Sequence, residues 1–364
     1  MLIIRPEINQ DRIRCCYTAC HQSTGAHSVF KISVSAATLV FLVFAYCCVA
    51  AAAEPVVYLV MLGHYAGQLI AIPAVIAIGL PIAALCMRPK APASFISDVM
   101  RHSGVRVAFI AGVFCAGLAA FTTLKIHIPK IMPFWADPVL ADIDRWIHRG
   151  KPGLALYSFL PSYAEYPIAW LYGPVWFILW FGIVAAMALH SDRQLRLRYF
   201  WAMALSIMLL GTVTATAMAS VGPIFYANFV EPTRFAELIR KIDASAFGDH
   251  MKLSSQYLLS SYQFNVPSFG TGISAMPSMH LAIATLNACM LFNLNRALGW
   301  LAWAYVVIIQ VGSVYLGWHY AIDGYVSIAV LSLIWFVTGL PVWNTLFHRI
   351  ARRVRPLRPQ PLSI

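Results

Sequence analysis

Two histidines are the residues of this 364-residue chain best placed to do chemistry. His280 closes the string SAMPSMH (274–280), which leads into an apolar run, and His319 sits in VYLGWHYAID (314–323) between two more. An ionisable side chain at membrane depth needs a partner or a purpose. Asp323 follows His319 by four residues, and positions i and i+4 of a helix share a face. Its carboxylate can hold the Nδ1–H of His319, leaving Nε2 free as nucleophile or base. Ser278 and the N–H groups after Pro277 begin a predicted helix, and such an end binds anions. Two histidines, one orienting carboxylate and an anion-binding helix end suit phosphoryl transfer.

The elements that must position these residues are membrane spans. The chain is 60% hydrophobic and 11% charged, with mean hydropathy +0.71. A soluble domain carries about 25% charged residues. The long unbroken apolar runs predict α-helical spans and exclude a β-barrel. Eight candidates fall at 33–53, 64–87 (or from Val56), 105–124, 164–189, 199–221, 275–294, 297–318 and 322–344. With the N-terminus inside, most of the 26 lysines and arginines fall inside and most of the 14 acidic residues outside. That asymmetry puts both termini in the cytoplasm. The net charge of +12 is dispersed between spans, so nucleic acid is not a partner. The first thirty residues lack the apolar core of a signal peptide and read as a cytoplasmic tail. The basic tail HRIARRVRPLRP is expected to rest on anionic headgroups.

In this topology His280 and His319 share one depth on the outer face. The inner turn near Asn293–Arg296 is so short that spans six and seven must pack antiparallel, which brings the two imidazoles together. Two long outer loops, 125–163 and 222–273, are expected to fold into short helices over the bundle's mouth. One is DPVLADIDRWIHR, with Val139, Leu140, Ile143, Trp146 and Ile147 at helical spacing; its Asp144, like Asp137 and His148, could contact a polar acceptor, and the competing reading makes Asp144 and Arg145 solvent-facing charges. The cysteines, including the CCYTACH cluster at Cys15, Cys16 and Cys20, read as reduced thiols or small hydrophobes. The other histidines, among them His64, His148 and His250, read as ordinary surface or interfacial groups. No His/Cys/Asp set has metal-ligand spacing, and no cofactor is called for.

MPSMH and VYLGWHYAID resemble the second and third signatures of the type 2 phosphatidic acid phosphatase superfamily, usually PSGH and SRxxxxxHxxxD. The resemblance implies that His319 attacks phosphorus and becomes a phosphohistidine. It also implies that Asp323 orients His319, that His280 protonates the leaving oxygen and that Ser278 hydrogen-bonds the phosphoryl group. It covers the last six spans. The chain then divides into an N-terminal tail (1–32), two additional spans (33–104), a six-helix phosphatase-like core (105–345) and a basic tail (346–364).

Two features depart from the pattern. The arginine expected six residues before His319 is Ser313, and the KxxxxxxRP signature is missing after span five, where the chain reads ASVGPIFYANF. A similar string, KIHIPKIMP (Lys125–Pro133), has Met132 in place of the arginine and lies two spans too early. The transferred phosphoryl charge still needs balancing, and Arg234 and Lys125 are the candidates, with Asp137 a candidate contact for a polar acceptor. These departures resemble the inositol phosphorylceramide synthase-like branch. The leading expectation is an integral-membrane lipid-phosphate phosphatase working through a phosphohistidine at the outer face. The alternative is a lipid phosphotransferase that hands the phosphoryl headgroup to an alcohol or polyol. A third reading is a non-catalytic membrane protein that has lost the phosphate-binding arginines.

Overall fold

The computed structural model describes residues 34–68 and 90–340. The N-terminal tail with its cysteine cluster, most of the second predicted span and the basic C-terminal tail lie outside the described residues. Within them the regular structure is helical, and six helices are long and apolar enough to cross a membrane. The chain is an all-α polytopic membrane protein.

Helices α1 (Val34–Ala53) and α2 (Pro55–Gln68) turn back on each other at Glu54. Pro55 starts α2 at a position where its missing N–H costs nothing. Both helices pack along α3 (Pro92–Ile131). Glu54 ion-pairs with Lys130 and lies 3.1 Å from His127 Nδ1, while Tyr65 hydrogen-bonds Thr122 at 2.7 Å. Helix α3 has 40 residues, twice the predicted 105–124. At 1.5 Å per residue it is on the order of 60 Å long, so it projects beyond a hydrocarbon core of about 30 Å.

Four short elements follow. They are α4 (Asp137–His148), α5 (Pro152–Phe159), and α6 (Glu165–Tyr172) with α7 (Pro174–Leu189), the last two forming one span interrupted at Gly173. Pro174 cannot donate to the helical ladder, which explains the break. Helix α8 (Arg193–Met208) continues through a π-helical turn, Leu209–Thr214, to Ala217. The long loop after it folds into α9 (Tyr226–Phe229), α10 (Ala236–Asp243) and α11 (Gly248–Gln263). Last come α12 (Met279–Leu294), α13 (Arg296–Tyr315) and α14 (Ala321–Thr338).

Helices α12 and α13 form a tight antiparallel hairpin. Asn295 is the single residue between them, and its side chain accepts the N–H groups of Ala297 and Leu298 at 2.8 and 3.2 Å. At 16 residues α12 is shorter than an ordinary span. Leu281 to Ala288 are all buried, because α12 packs against α7, α8, α13 and α14. A helix apolar all round is the kind that a bundle buries at its centre.

Helix α4 corrects a sequence expectation. Its apolar residues Val139, Ile143, Trp146 and Ile147 point outward, and Asp144 is only 4% exposed. In a soluble protein the apolar stripe faces the core. Here the inner face carries Asp137 and Asp144 beside Leu140 and Ala141, and both carboxylates meet backbone N–H donors there.

Three connections meet at one end of the bundle: residues 218–222 after α8, 271–278 before α12, and 316–320 between α13 and α14. Ser220 ties the first two, its carbonyl accepting from Ala275 N–H (2.9 Å) and its hydroxyl from Met276 N–H (3.0 Å). Gly222 has φ +84°, and a Cβ there would lie 2.5 Å from the Trp318 carbonyl oxygen. Only glycine lets the first connection approach the third so closely. Gly222→Ala is expected to destabilise the protein by about 2 kcal/mol or more. A thermal unfolding midpoint in detergent equal to that of the wild type would contradict this.

Candidate active site

His319 sits on the connection between α13 and α14. Gly317, at φ +72°, ends α13 in the left-handed conformation that glycine favours. The N–H of His319 donates back to the Ser313 carbonyl at 3.2 Å. Its imidazole is nearly enclosed, and Nδ1 lies 2.8 Å from the Ala275 carbonyl oxygen and 3.3 Å from Asp323 Oδ2. Both partners are acceptors, so Nδ1 carries the proton and Nε2 of the neutral ring holds the lone pair. Asp323 is fully buried and also accepts the Tyr320 N–H at 3.0 Å.

His280 lies in the first turn of α12. Its ring centroid is 6.5 Å from that of His319, with the two rings roughly edge to face. The break at Gly173 sets the other side of this wall. Tyr172 stacks on His280 at 4.4 Å, Trp176 lies 4.1 Å away, and Trp176 Nε1–H donates to the His280 carbonyl at 3.0 Å. The imidazole itself has no hydrogen-bond partner among the described residues.

Both histidines line one cavity of about 480 Å³. Much of its wall is aromatic, including Trp176, Phe177, Trp180 and Phe181 of α7. Lys125 on α3 lines it too, packed against the backbone of Gly272, where a Cβ would lie 3.0 Å from the lysine Cγ. Among the described residues no Asp or Glu lines this space. The balance of charge favours an anion.

The other candidates lie elsewhere. Ser278 stands at the N-cap position of α12 without a side-chain capping bond; its hydroxyl is fully buried without a partner, and it is not among the residues lining the cavity. Arg234 pairs with Asp142 at 2.6 Å and lines a smaller space, about 70 Å³, on another side of His319. Ser313, where an arginine was expected, donates its hydroxyl to the Gln310 carbonyl at 2.8 Å.

Asp137 lines neither cavity, because its carboxylate is committed within the fold. It accepts Val221 N–H (2.9 Å), Gly222 N–H (2.9 Å) and the Tyr320 hydroxyl (2.8 Å). Asp144, one heptad on, accepts the N–H groups of Ala321 and Ile322, both at 3.0 Å. It thereby caps the start of α14. Burial raises both carboxyls above the usual carboxylate range, and the backbone N–H bonds pull them back. His148 Nδ1–H donates to the Asp144 carbonyl at 2.7 Å, and Nε2 meets the Tyr325 hydroxyl at 3.0 Å. Sequence reasoning missed this role of α4. The signal was the seven-residue spacing of Asp137 and Asp144, which puts two acids on one face.

The family model described as the PAP2 superfamily matches residues 140–337, more than half of the chain. The chain belongs to that superfamily. No curated protein and no solved structure matched it.

Asp144→Ala strands two backbone N–H groups beside His319. It is expected to cost about 2–4 kcal/mol of stability and to lower turnover. Unchanged unfolding and unchanged turnover together would show that α4 does not hold the site.

Proposed function

We propose that this member of the PAP2 superfamily is a lipid-phosphate phosphatase that works through a phosphohistidine at the outer membrane face. The observation that carries the reading is the pairing of His319 with His280 across one acid-free cavity, with Nδ1 of His319 held by two acceptors.

The proposed steps are these. Nε2 of His319 attacks phosphorus and forms the P–N bond as the P–O bond to the lipid breaks. A protonated His280 gives its proton to the departing oxygen. Asp323 and the Ala275 carbonyl stabilise the charge that develops on His319. Water then attacks phosphorus, neutral His280 takes its proton, and the P–N electron pair returns to His319. Lys125 is the cation that balances the phosphoryl oxygens, in the role left open by the missing arginines. The aromatic wall on α7 receives the apolar chain of the substrate.

A second reading is transfer to an alcohol, as in the inositol phosphorylceramide synthase-like branch. The size of the cavity favours it. A phosphoryl group needs only a fraction of about 480 Å³, a volume within the roughly 300–1,000 Å³ that holds a whole small ligand. Hydrolysis and transfer share the first step and differ in which oxygen attacks second.

Purified protein given phosphatidic acid, with and without added polyols, tests both readings. His319→Ala is expected to abolish turnover, and Asp323→Asn to lower kcat on the order of 10⁴-fold. His280→Ala should slow turnover of a poor leaving group yet spare a p-nitrophenyl ester, because that oxygen needs no proton. Lys125→Met should raise KM or lower kcat about tenfold or more, with recovery in Lys125→Arg. Retained turnover in His319→Ala would remove the nucleophile assignment.

A further inference from the structure

Helix α11 lies over the same cavity, and nothing in the phosphoryl-transfer steps uses it. His250, Ser254 and Leu258, spaced four residues apart, all line the cavity, so one continuous face of α11 forms a wall. His250 is exposed, with its ring 4.6 Å from that of Phe247, while Ser254, one turn on, is half-buried. Neither side chain has a hydrogen-bond partner among the described residues. An imidazole and a hydroxyl one turn apart, both unspent and both facing a cavity, offer donors and acceptors to a ligand.

We infer that His250 and Ser254 form a headgroup subsite for a neutral, hydroxyl-bearing group attached to phosphorus. This rests on the phosphoryl-transfer reading of the same cavity. The apolar chain lies against α7, the phosphoryl group lies between His280, His319 and Lys125, and the hydroxylated group reaches α11 at the mouth. The lack of carboxylates around the cavity fits hydroxyls rather than an ammonium headgroup. Such a group can arrive in two ways: as the headgroup of the donor lipid, or as a free polyol that attacks the phosphohistidine.

Binding tests the subsite without catalysis. Full-length His319→Ala protein in detergent is titrated with short-chain phosphatidylglycerol, phosphatidic acid or phosphatidylethanolamine, followed by the fluorescence of cavity tryptophans. Adding His250→Ala or Ser254→Ala is expected to weaken phosphatidylglycerol about tenfold, the value of roughly one hydrogen bond. Phosphatidic acid affinity should stay within twofold, and His250→Gln should restore most of the loss. Unchanged phosphatidylglycerol affinity, an equal loss for both lipids, or a preference for phosphatidylethanolamine would each overturn the subsite, whatever turnover shows. In the otherwise wild-type enzyme, a polyol-dependent loss of transfer in His250→Ala during phosphatidic acid turnover identifies the acceptor as the source. A loss confined to phosphatidylglycerol turnover identifies the donor. Turnover surviving in His319→Ala would instead remove the phosphohistidine reading and leave the binding result standing.

Discussion

A buried carboxylate in a membrane protein must be surrounded by donors, and α4 commits both of its inward carboxylates to groups next to His319. Asp137 gathers Val221, Gly222 and the Tyr320 hydroxyl, and Asp144 gathers Ala321 and Ile322. These five bonds join the end of α8 to the start of α14. Hydrogen bonds to charged groups contribute about 1.5–3 kcal/mol each, and removing one partner costs the desolvation of the other. The position of His319 therefore depends on a helix that lies far from it in sequence. Ser220 extends the same tie to the Ala275 carbonyl, which fixes the tautomer of His319.

That tautomer is what gives the site its chemistry. A free Nε2 lone pair is a nucleophile only if Nδ1 keeps its proton, and two acceptors hold the proton there. The second histidine is held differently. His280 has aromatic rings around it, and its imidazole nitrogens make no hydrogen bond among the described residues. One ring is locked by two acceptors and the other makes no hydrogen bond, and the proposed transfer rests on that difference. Lys125 lines the cavity from a helix that sequence order places two spans before the expected signature. Sequence order does not say which helix reaches the cavity; α3 does so by packing beside the π turn of α8, where Gly211 admits Phe121.

Much of the centre was legible in the sequence. The short turn at Asn295 forces α12 against α13, and that alone brings His280 to His319. The spacing of His319 and Asp323 also reads directly. What could not be read was the inversion of α4. Its apolar residues follow a helical period, and the same pattern fits a helix resting on a core or one facing lipid. Only the partners at Val221, Gly222 and Ala321 decide which, and these lie more than 80 residues away. The short central helix α12 misled in a milder way, since a helix enclosed by others need not match the membrane's thickness. Ser278 was expected in the phosphate site by its place in the motif. Its hydroxyl is buried with no hydrogen-bond partner among the described residues, and the residue is not part of the cavity lining.

The most direct measurement is to trap the covalent intermediate. Purified protein is mixed with a lipid phosphate carrying radiolabelled phosphorus, quenched in alkali after a short interval, and digested. Label should appear as an acid-labile, alkali-stable adduct on the peptide that contains His319. It should be absent from His319→Ala and should accumulate when the attacking water or alcohol is limiting. Label on a different residue, or continued turnover with no labelled protein at any time, would contradict a phosphohistidine at His319.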